Sequence, residues 1–315
     1  MSGTKRPIVL VANGDLKTDK LKAVADLIVN IEPGGASREW VLEHIGEATA
    51  LLIRGHYMID AEFLDRAKNL KYLVTISVGH ENIDLEECKK RGLRVGYAGG
   101  ILTEGTAEMC VALTLAIARR IPEAAESARK RSPTRRSAFF GMGRIGESVA
   151  EKLLPFHPRR ILYHNRRKKT NVDYEYVSFE ELLKQSDFLL ITTSAGPETE
   201  GVFNRETFKL MKTDSILVNI SRGKIIRTDD LVDALLVGTI GAAALDVTDP
   251  EPLPDGHPLY SMANCIVTPH IGSGNTKTRQ MQLEMGEENV LQALPRQRDA
   301  LPVGLTSLLV VYACK

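Results

Sequence analysis

Apolar residues in this chain gather into short runs, each followed by an amphipathic stretch. Pro7-Ile-Val-Leu-Val-Ala12, Ala50-Leu-Leu-Ile53, Tyr72–Ser77 and Leu93–Tyr97 are rich in apolar residues without a polar alternation, the pattern of strands buried on both faces of a parallel sheet. Between them the spacing predicts helices over Asp19–Asn30, entered from Thr18 or Asp19, over Asp60–Lys68, and over Leu85–Arg91, which Gly92 is placed to end. The apolar-rich helix Thr103–Ala118 comes next, and its length reads as a connector leaving the first domain. A second alternation predicts strands at Ser137–Phe140, Arg160–Tyr163, Phe188–Thr192, Ser215–Ile220, Ala242–Asp246 and Cys265–Thr268, with a helix over Ile145–Leu154. A last helix, Asn275–Leu294, would return the chain to the first domain. The expected fold is α/β, with two doubly wound domains.

At 315 residues the chain is long enough for two cores. A formal net charge of +1 with 26% charged residues gives no reason to expect nucleic acid or a membrane surface as partner. The basic stretch Arg129–Arg136, broken by Pro133 and without interleaved aromatics, reads as a solvated loop. No run approaches the roughly 20 apolar residues of a membrane span, and the polar start Met1–Arg6 does not lead into a signal-peptide core. Cys88, Cys110, Cys265 and Cys314 lack CxxC spacing, so they read as reduced thiols and not as a disulfide framework or zinc ligands. A soluble, cytoplasmic protein without a metal site is expected.

Gly141-Met-Gly-Arg-Ile-Gly146 follows a strand and opens a helix, the context in which GxGxxG binds a dinucleotide. Gly141 would permit the tight turn, Gly143 the approach of backbone to a pyrophosphate, and Gly146 close packing of helix on strand. The helix start at Arg144 and Ile145 supplies N–H groups and partial positive charge. Past the next strand, an acid would read a ribose that lacks a 2′-phosphate. Here the chain has Asn165-Arg166-Arg167-Lys168-Lys169. A guanidinium grips a phosphate that a carboxylate would repel, so NADPH is the expected cofactor and NADH the weaker one, with Asn165, Arg166 and Arg167 as contacts.

Three further stretches fall at the C-terminal ends of predicted strands, the edge at which open parallel sheets bind ligands. They are Ile220-Ser-Arg-Gly223, Asp249-Pro-Glu-Pro252 and Thr268-Pro-His-Ile-Gly272. An arginine to hold a carboxylate, a histidine to move a proton and a glutamate to tune that histidine are the groups that reduction of a 2-oxo acid requires. His44, His56, His80, His157, His164 and His257 have no such company. Arg54 and Tyr57 are candidates for the mouth of a pocket.

Together with Thr75-Ile-Ser-Val-Gly79, Leu102-Thr-Glu-Gly-Thr-Ala-Glu108, Asn219–Gly223, Ala244–Pro252 and Pro269–Ser273, these motifs make the chain resemble the D-isomer-specific 2-hydroxyacid dehydrogenases, nearest to their glyoxylate/hydroxypyruvate reductase branch. The resemblance implies a Rossmann NAD(P)-binding domain over 103–287, inserted in a flavodoxin-like substrate domain made of 1–102 and 288–315. It implies reduction of glyoxylate or hydroxypyruvate to a D-2-hydroxy acid. In that reaction His270 is the general acid, Glu251 its partner, and Arg222 the carboxylate-binding and carbonyl-polarising group. It further implies substrate contacts from the Val78 and Gly79 amides and from Ser273. Cofactor contacts are implied at Thr106, Ser194, Ile220, Asp246 and Gly272, and a homodimer is the implied assembly.

Relatives carry a tryptophan-containing stretch before the glycine-turn strand. Here only Ser127–Ser137 occupies that place, and Trp40 is the sole tryptophan. With Arg135 and Arg136 where buried residues would continue, the Ser137–Phe140 strand is expected to be short at a cost of several kcal/mol, as in a variant lacking a segment. A dinucleotide-binding corepressor and an inactive isoform are the alternative readings.

Overall fold

The computed structural model describes residues 6–55, 57–118 and 137–294. His56, the Arg129–Arg136 loop with the contracted segment, Cys314 and the tail from 295 lie outside these residues. Contacts divide the chain into two compact units, one of Met1–Leu102 with Thr276–Lys315 and one of Thr103–Asn275.

The first unit runs β1 (Ile8–Val11), α1 (Leu21–Val24), β2 (Asp26–Val29), α2 (Arg38–His44), β3 (Ala50–Ile53), α3 (Ala61–Arg66), β4 (Tyr72–Thr75), α4 (Leu85–Lys90) and β5 (Arg94–Gly96). Its strands form one parallel sheet in the order β2-β1-β3-β4-β5. Successive strand residues alternate between two cores. Leu10, Leu51, Ile53 and Leu73 enter one, and Val9, Val11, Leu52 and Val74 the other, which is why the runs are apolar throughout. Helix starts follow from local capping: Ser37 accepts from Trp40 N–H at 3.1 Å, Asp60 from Phe63 N–H at 2.9 Å and Asp84 from Glu87 N–H at 2.9 Å.

One element differs from expectation. Residues 19–30 do not form a single helix but divide into the four-residue α1 and strand β2. Leu27-Ile-Val29 includes two β-branched side chains, which are restricted in a helix. The segment instead pairs with β1 in register from Ile8 opposite Asp26 to Val11 opposite Val29.

The second unit runs α5 (Thr103–Ala118), β6 (Ser137–Phe140), α6 (Arg144–Leu153), β7 (Ile161–His164), β8 (Glu175–Tyr176), α7 (Phe179–Gln185), β9 (Phe188–Ile191), α8 (Arg205–Lys209), β10 (Ile216–Asn219), α9 (Thr228–Val237), β11 (Ala242–Leu245) and β12 (Cys265–Val267). The parallel sheet has the order β12-β11-β10-β9-β6-β7-β8, so strand order reverses beside β6, as in a Rossmann fold. Strand β8 and helices α7 to α9 go beyond the sequence pattern. Alternation again feeds two cores, with Ala138, Phe140, Leu162 and Leu217 in one and Phe139, Tyr163, Leu190 and Val218 in the other.

Strand β6 is not shortened relative to its neighbours. All four of its residues are buried, and they pair one for one with β7 and with β9. The flanking strands have the same length, and Arg135 and Arg136, on which the expected cost rested, lie outside the described residues.

The final helix, α10 (Thr276–Ala293), groups with the first unit. The second piece of that unit therefore begins at 276 and not at 288. Val290 and Leu294 complete the core of Val9, Leu52 and Val74, and Gln282 Nε2 donates to the Ile76 carbonyl at 3.1 Å. Cys88, Cys110 and Cys265 are free and buried. Burial pushes their thiols up to about 11, about 12 and about 12 respectively, so they are held as inert thiols. Among the described residues no helix is long and apolar enough to cross a membrane.

Gly286 lets α10 pack tightly on Ile76, just past β4: a Cβ there would lie 2.5 Å from Ile76 Cγ2. Gly286→Ala gains about 1 kcal/mol of helix propensity, but overpacking a buried, β-branched neighbour costs roughly 1–3 kcal/mol, and so short an overlap belongs at the upper end. Urea denaturation of the variant is expected to give a lower midpoint. An unchanged or raised midpoint would show that the helix does not sit this close.

Candidate active site

The C-terminal edge of the second sheet collects the polar groups. After β6 the chain turns at Gly141, whose φ of +107° is open to glycine alone without strain. A Cβ there would also lie 2.6 Å from Thr193 N. At Gly146 a Cβ would strike the Gly141 carbonyl, so the third glycine lets α6 pack on the turn. Gly143 differs from both: a Cβ on it would meet nothing within 4 Å. It caps α6 with no side-chain hydrogen bond, and Arg144 beside it is exposed. Exposed backbone at the start of a ten-residue helix fits a pyrophosphate, so these residues suit a dinucleotide.

Asn165 follows β7 and faces back to the turn. Its Oδ1 accepts from Met142 N–H at 2.6 Å and its Nδ2 donates to the Met142 carbonyl at 3.4 Å. Arg166 is 88% exposed and pairs with Glu198 at 3.4 Å, and Arg167 and Lys168 are exposed. Lys169 is tied to Glu147 in the first turn of α6, so two of the four cations already have acidic partners.

The loop after β10 holds Arg222 between fixed points. Asn219 accepts from Ser221 N–H at 3.0 Å and donates to the Arg222 carbonyl at 2.9 Å, while the Ser221 hydroxyl donates to the Thr193 carbonyl. Arg222 Nη1 donates to the Ser221 carbonyl at 2.8 Å. Gly223 then lies against the loop after β11: a Cβ there would fall well inside contact distance of the Thr248 carbonyl and 2.6 Å from Asp249 N. Both loops are thereby pressed together, and Arg222 acts electrostatically on both Glu251 and His270.

Thr248 N–H donates to Glu251 Oε2 at 3.2 Å, and Glu251 Oε1 lies 2.6 Å from His270 Nδ1. His270 itself adopts a left-handed φ of +52°. The Glu251 hydrogen bond, opposed by burial and aided by the charges of Glu251 and Asp246, holds the His270 pKa above the ordinary imidazole value. Burial acts to raise the pKa of Glu251. The hydrogen bond and charge of His270, with the Thr248 amide and the Arg222 charge, outweigh it and hold the carboxyl below its usual range. Both shifts favour the imidazolium–carboxylate form of the pair, whose side chains are 48% and 41% exposed.

The remaining expected contacts divide by burial. Asp246 is 1% exposed and its carboxylate is engaged by the His270 loop: Oδ1 accepts from the Thr268 hydroxyl at 2.6 Å and Ile271 N–H at 2.9 Å, and Oδ2 from Gly272 N–H at 2.7 Å. The Ile220 side chain is a core residue, which leaves its backbone to meet a ligand. Ile145 packs partly on that same core. Ser194 is exposed, with its carbonyl accepting from the Thr199 hydroxyl at 3.1 Å. Thr106 on α5 stands by Gly272, where a Cβ would lie 3.5 Å from its Cγ2. Ser273, three residues past His270, is half-buried. Val78 and Gly79 belong to the first unit, in the half-buried loop after β4. The sequence reading missed Asn219, whose signal was a buried amide ending an apolar strand.

Gly223→Ala is expected to drive the Thr248–Glu251 loop away from Arg222. A displacement of about 1 Å at catalytic groups costs on the order of a hundredfold in rate. The variant should retain its fold by circular dichroism while losing about that much kcat/KM; full activity would show that the two loops are not clamped.

The family described as "D-isomer specific 2-hydroxyacid dehydrogenase, NAD binding domain" matches residues 111–272. Human "Glyoxylate reductase/hydroxypyruvate reductase" is 41% identical over 255 residues, 75% of this chain and 78% of that protein. "Glyoxylate reductase" of Thermofilum pendens is 36% identical over 295 residues, 87% of each. Among solved structures, a protein from Thermus thermophilus superposes with a TM-score of 0.82 at 38% identity, covering 91% of this chain and 96% of the other. With a nicotinamide dinucleotide as its cofactor class, the chain belongs to the D-isomer-specific 2-hydroxyacid dehydrogenase family.

Proposed function

We propose that this protein is an NADPH-preferring reductase of small 2-oxo acids, glyoxylate and hydroxypyruvate foremost, yielding D-2-hydroxy acids. The observation that carries the reading is the His270–Glu251 pair at 2.6 Å, beside Arg222 on the sheet edge that also bears the glycine turn. When bound, the cofactor supplies the hydride. Arg222 binds the substrate carboxylate and polarises the carbonyl, so that charge developing on oxygen meets a fixed cation. The amides of Val78 and Gly79 and the hydroxyl of Ser273 add neutral donors. His270 gives the carbonyl oxygen the proton on Nε2, because Nδ1 is turned to Glu251. Carbon gains the hydride and oxygen the proton, and the neutral imidazole is recharged from solvent. Glu251 stays ionised throughout and stabilises the imidazolium.

The cofactor preference is supported by the missing acid after β7 and by exposed Arg166 and Arg167. Asn165, Arg166 and Arg167 are assigned to the 2′-phosphate and ribose. The Gly141, Gly143 and Gly146 backbone and the Arg144–Ile145 helix start are assigned to the pyrophosphate. Thr106, Ser194, Ile220, Asp246 and Gly272 are assigned to the rest of the cofactor. A cytoplasmic homodimer belongs to the same reading and rests on the resemblance alone.

Two measurements check the proposal. Comparing kcat/KM with the two cofactors and glyoxylate should favour NADPH by about ten- to a hundredfold, the worth of one or two charge-assisted hydrogen bonds; a clear advantage for NADH overturns the preference. The pH profile tests the acid. His270 is protonated below its raised pKa, so reduction should be fast on the acid side and fall as pH rises through that value. Glu251→Gln removes the largest cause of the shift, and the fall should move to lower pH with a reduced kcat. A profile that does not move would rule out Glu251 as the group that tunes His270.

A further inference from the structure

The loop that carries Glu251 is held from outside as well as from within. Thr228 is the first residue of α9, and its Oγ1 donates to the Asp249 carbonyl at 2.6 Å. A threonine one position earlier would cap the helix. The residue there is Arg227, which makes no side-chain capping bond, and the Thr228 hydroxyl serves the neighbouring loop. Its base is firm, because Leu231, Ala234 and Leu235 of the same helix are buried in the core.

A short, stiff path leads from that anchor to the carboxylate. Pro250 and Pro252 stand on either side of Glu251. Each ring fixes its own φ and restricts the residue before it, so the segment has few soft dihedrals with which to absorb a shift at Asp249. Thr248 Oγ1 donates to the Pro250 carbonyl at 2.9 Å, and Thr248 N–H to Glu251 Oε2 at 3.2 Å. Glu251 Oε1 then meets His270 Nδ1 at 2.6 Å.

We propose that Thr228 is a positioning residue of the reductase site, holding the Glu251 carboxylate on His270 through the Asp249 carbonyl. The inference rests on the reading of His270 as general acid and of Glu251 as its partner. Without the hydroxyl the Asp249 carbonyl is released, and the loop can drift from His270. A charge-assisted hydrogen bond weakens steeply as its length and angle depart from the optimum. The charged groups acting on His270 are Glu251, Asp246 and Arg222, and of these Glu251 is the one on the loop that Thr228 anchors. Water reaches the Thr228–Asp249 bond and can partly replace it, so the effect is expected to be modest.

The experiment compares the wild type with Thr228→Val, which keeps the shape and removes the hydroxyl, and with Thr228→Ser, which keeps the hydroxyl. Thr228→Ala replaces the valine variant if that one does not fold. The pH profile of kcat for glyoxylate with NADPH is measured, and the His270 imidazole is titrated by nuclear magnetic resonance. In Thr228→Val, kcat on the alkaline side should fall by about three- to tenfold, and the profile and the titration should both move to lower pH. KM for glyoxylate should stay within about twofold, since Arg222 is retained, and Thr228→Ser should restore the wild-type values. A lower melting temperature with the profile and titration in place would make Thr228 a structural residue only and overturn the proposal. So would a serine variant no better than the valine one. If the wild type reduces no 2-oxo acid, the reductase reading fails. The imidazole titration, which needs no turnover, then still decides whether Thr228 holds Glu251 on His270.

Discussion

Asp246 is a carboxylate with almost no exposure to water, and the site depends on how that burial is compensated. Its two oxygens accept from Thr268, Ile271 and Gly272. Its backbone N–H donates to the Asn219 carbonyl at 2.8 Å, and its carbonyl accepts from His270 N–H at 2.9 Å. One residue thus ties together the strand ends of β10, β11 and β12. A buried charge is tolerated only when hydrogen-bonded in this way, and leaving out a donor would leave it unsatisfied. The same bonds hold His270 in a left-handed conformation that a non-glycine residue adopts only when its surroundings impose it.

Geometry and electrostatics follow from that one anchor. The His270 loop is fixed by Asp246, and the Glu251 loop is pressed toward Arg222 by the absence of a side chain at Gly223. Imidazole and carboxylate then meet at 2.6 Å. The Glu251 hydrogen bond, with the charges of Glu251 and Asp246, outweighs burial and the nearby arginine, so the imidazole pKa is raised. Asn219 and Ser221 both help to hold the Arg222 loop in place. Positioning comes from backbone and buried polar groups, and the side chains of His270 and Glu251 are left comparatively exposed.

Much of this was legible in the chain. Ala50–Ile53 and Ser137–Phe140 fall where the apolar runs put them, because strands buried on both faces leave no polar alternation to misread. The pairing of Glu251 with His270 was legible from their motifs, and family membership follows from the same motifs. Residues 19–30 were misread, since a four-residue helix running into an edge strand has neither a clear helical nor a clear strand period. The boundary at 276 was hidden because it depends on which core Val290 and Leu294 enter, a long-range choice that helical periodicity does not encode. Asp246 was expected as a ligand contact. Its role in the His270 loop was invisible because its donors come from residues more than twenty positions away. Strand β6 was expected to be short, and its four residues pair one for one with the equally short β7 and β9.

The central claim is that a buried aspartate and a partnered glutamate keep His270 charged for proton delivery. It is tested most directly by titrating the imidazole of His270 by nuclear magnetic resonance, with the signal assigned through a His270→Gln variant. The account expects titration above the ordinary imidazole value, with Asp246→Asn lowering it. A His270 that titrates at or below the ordinary value in the intact protein would contradict it.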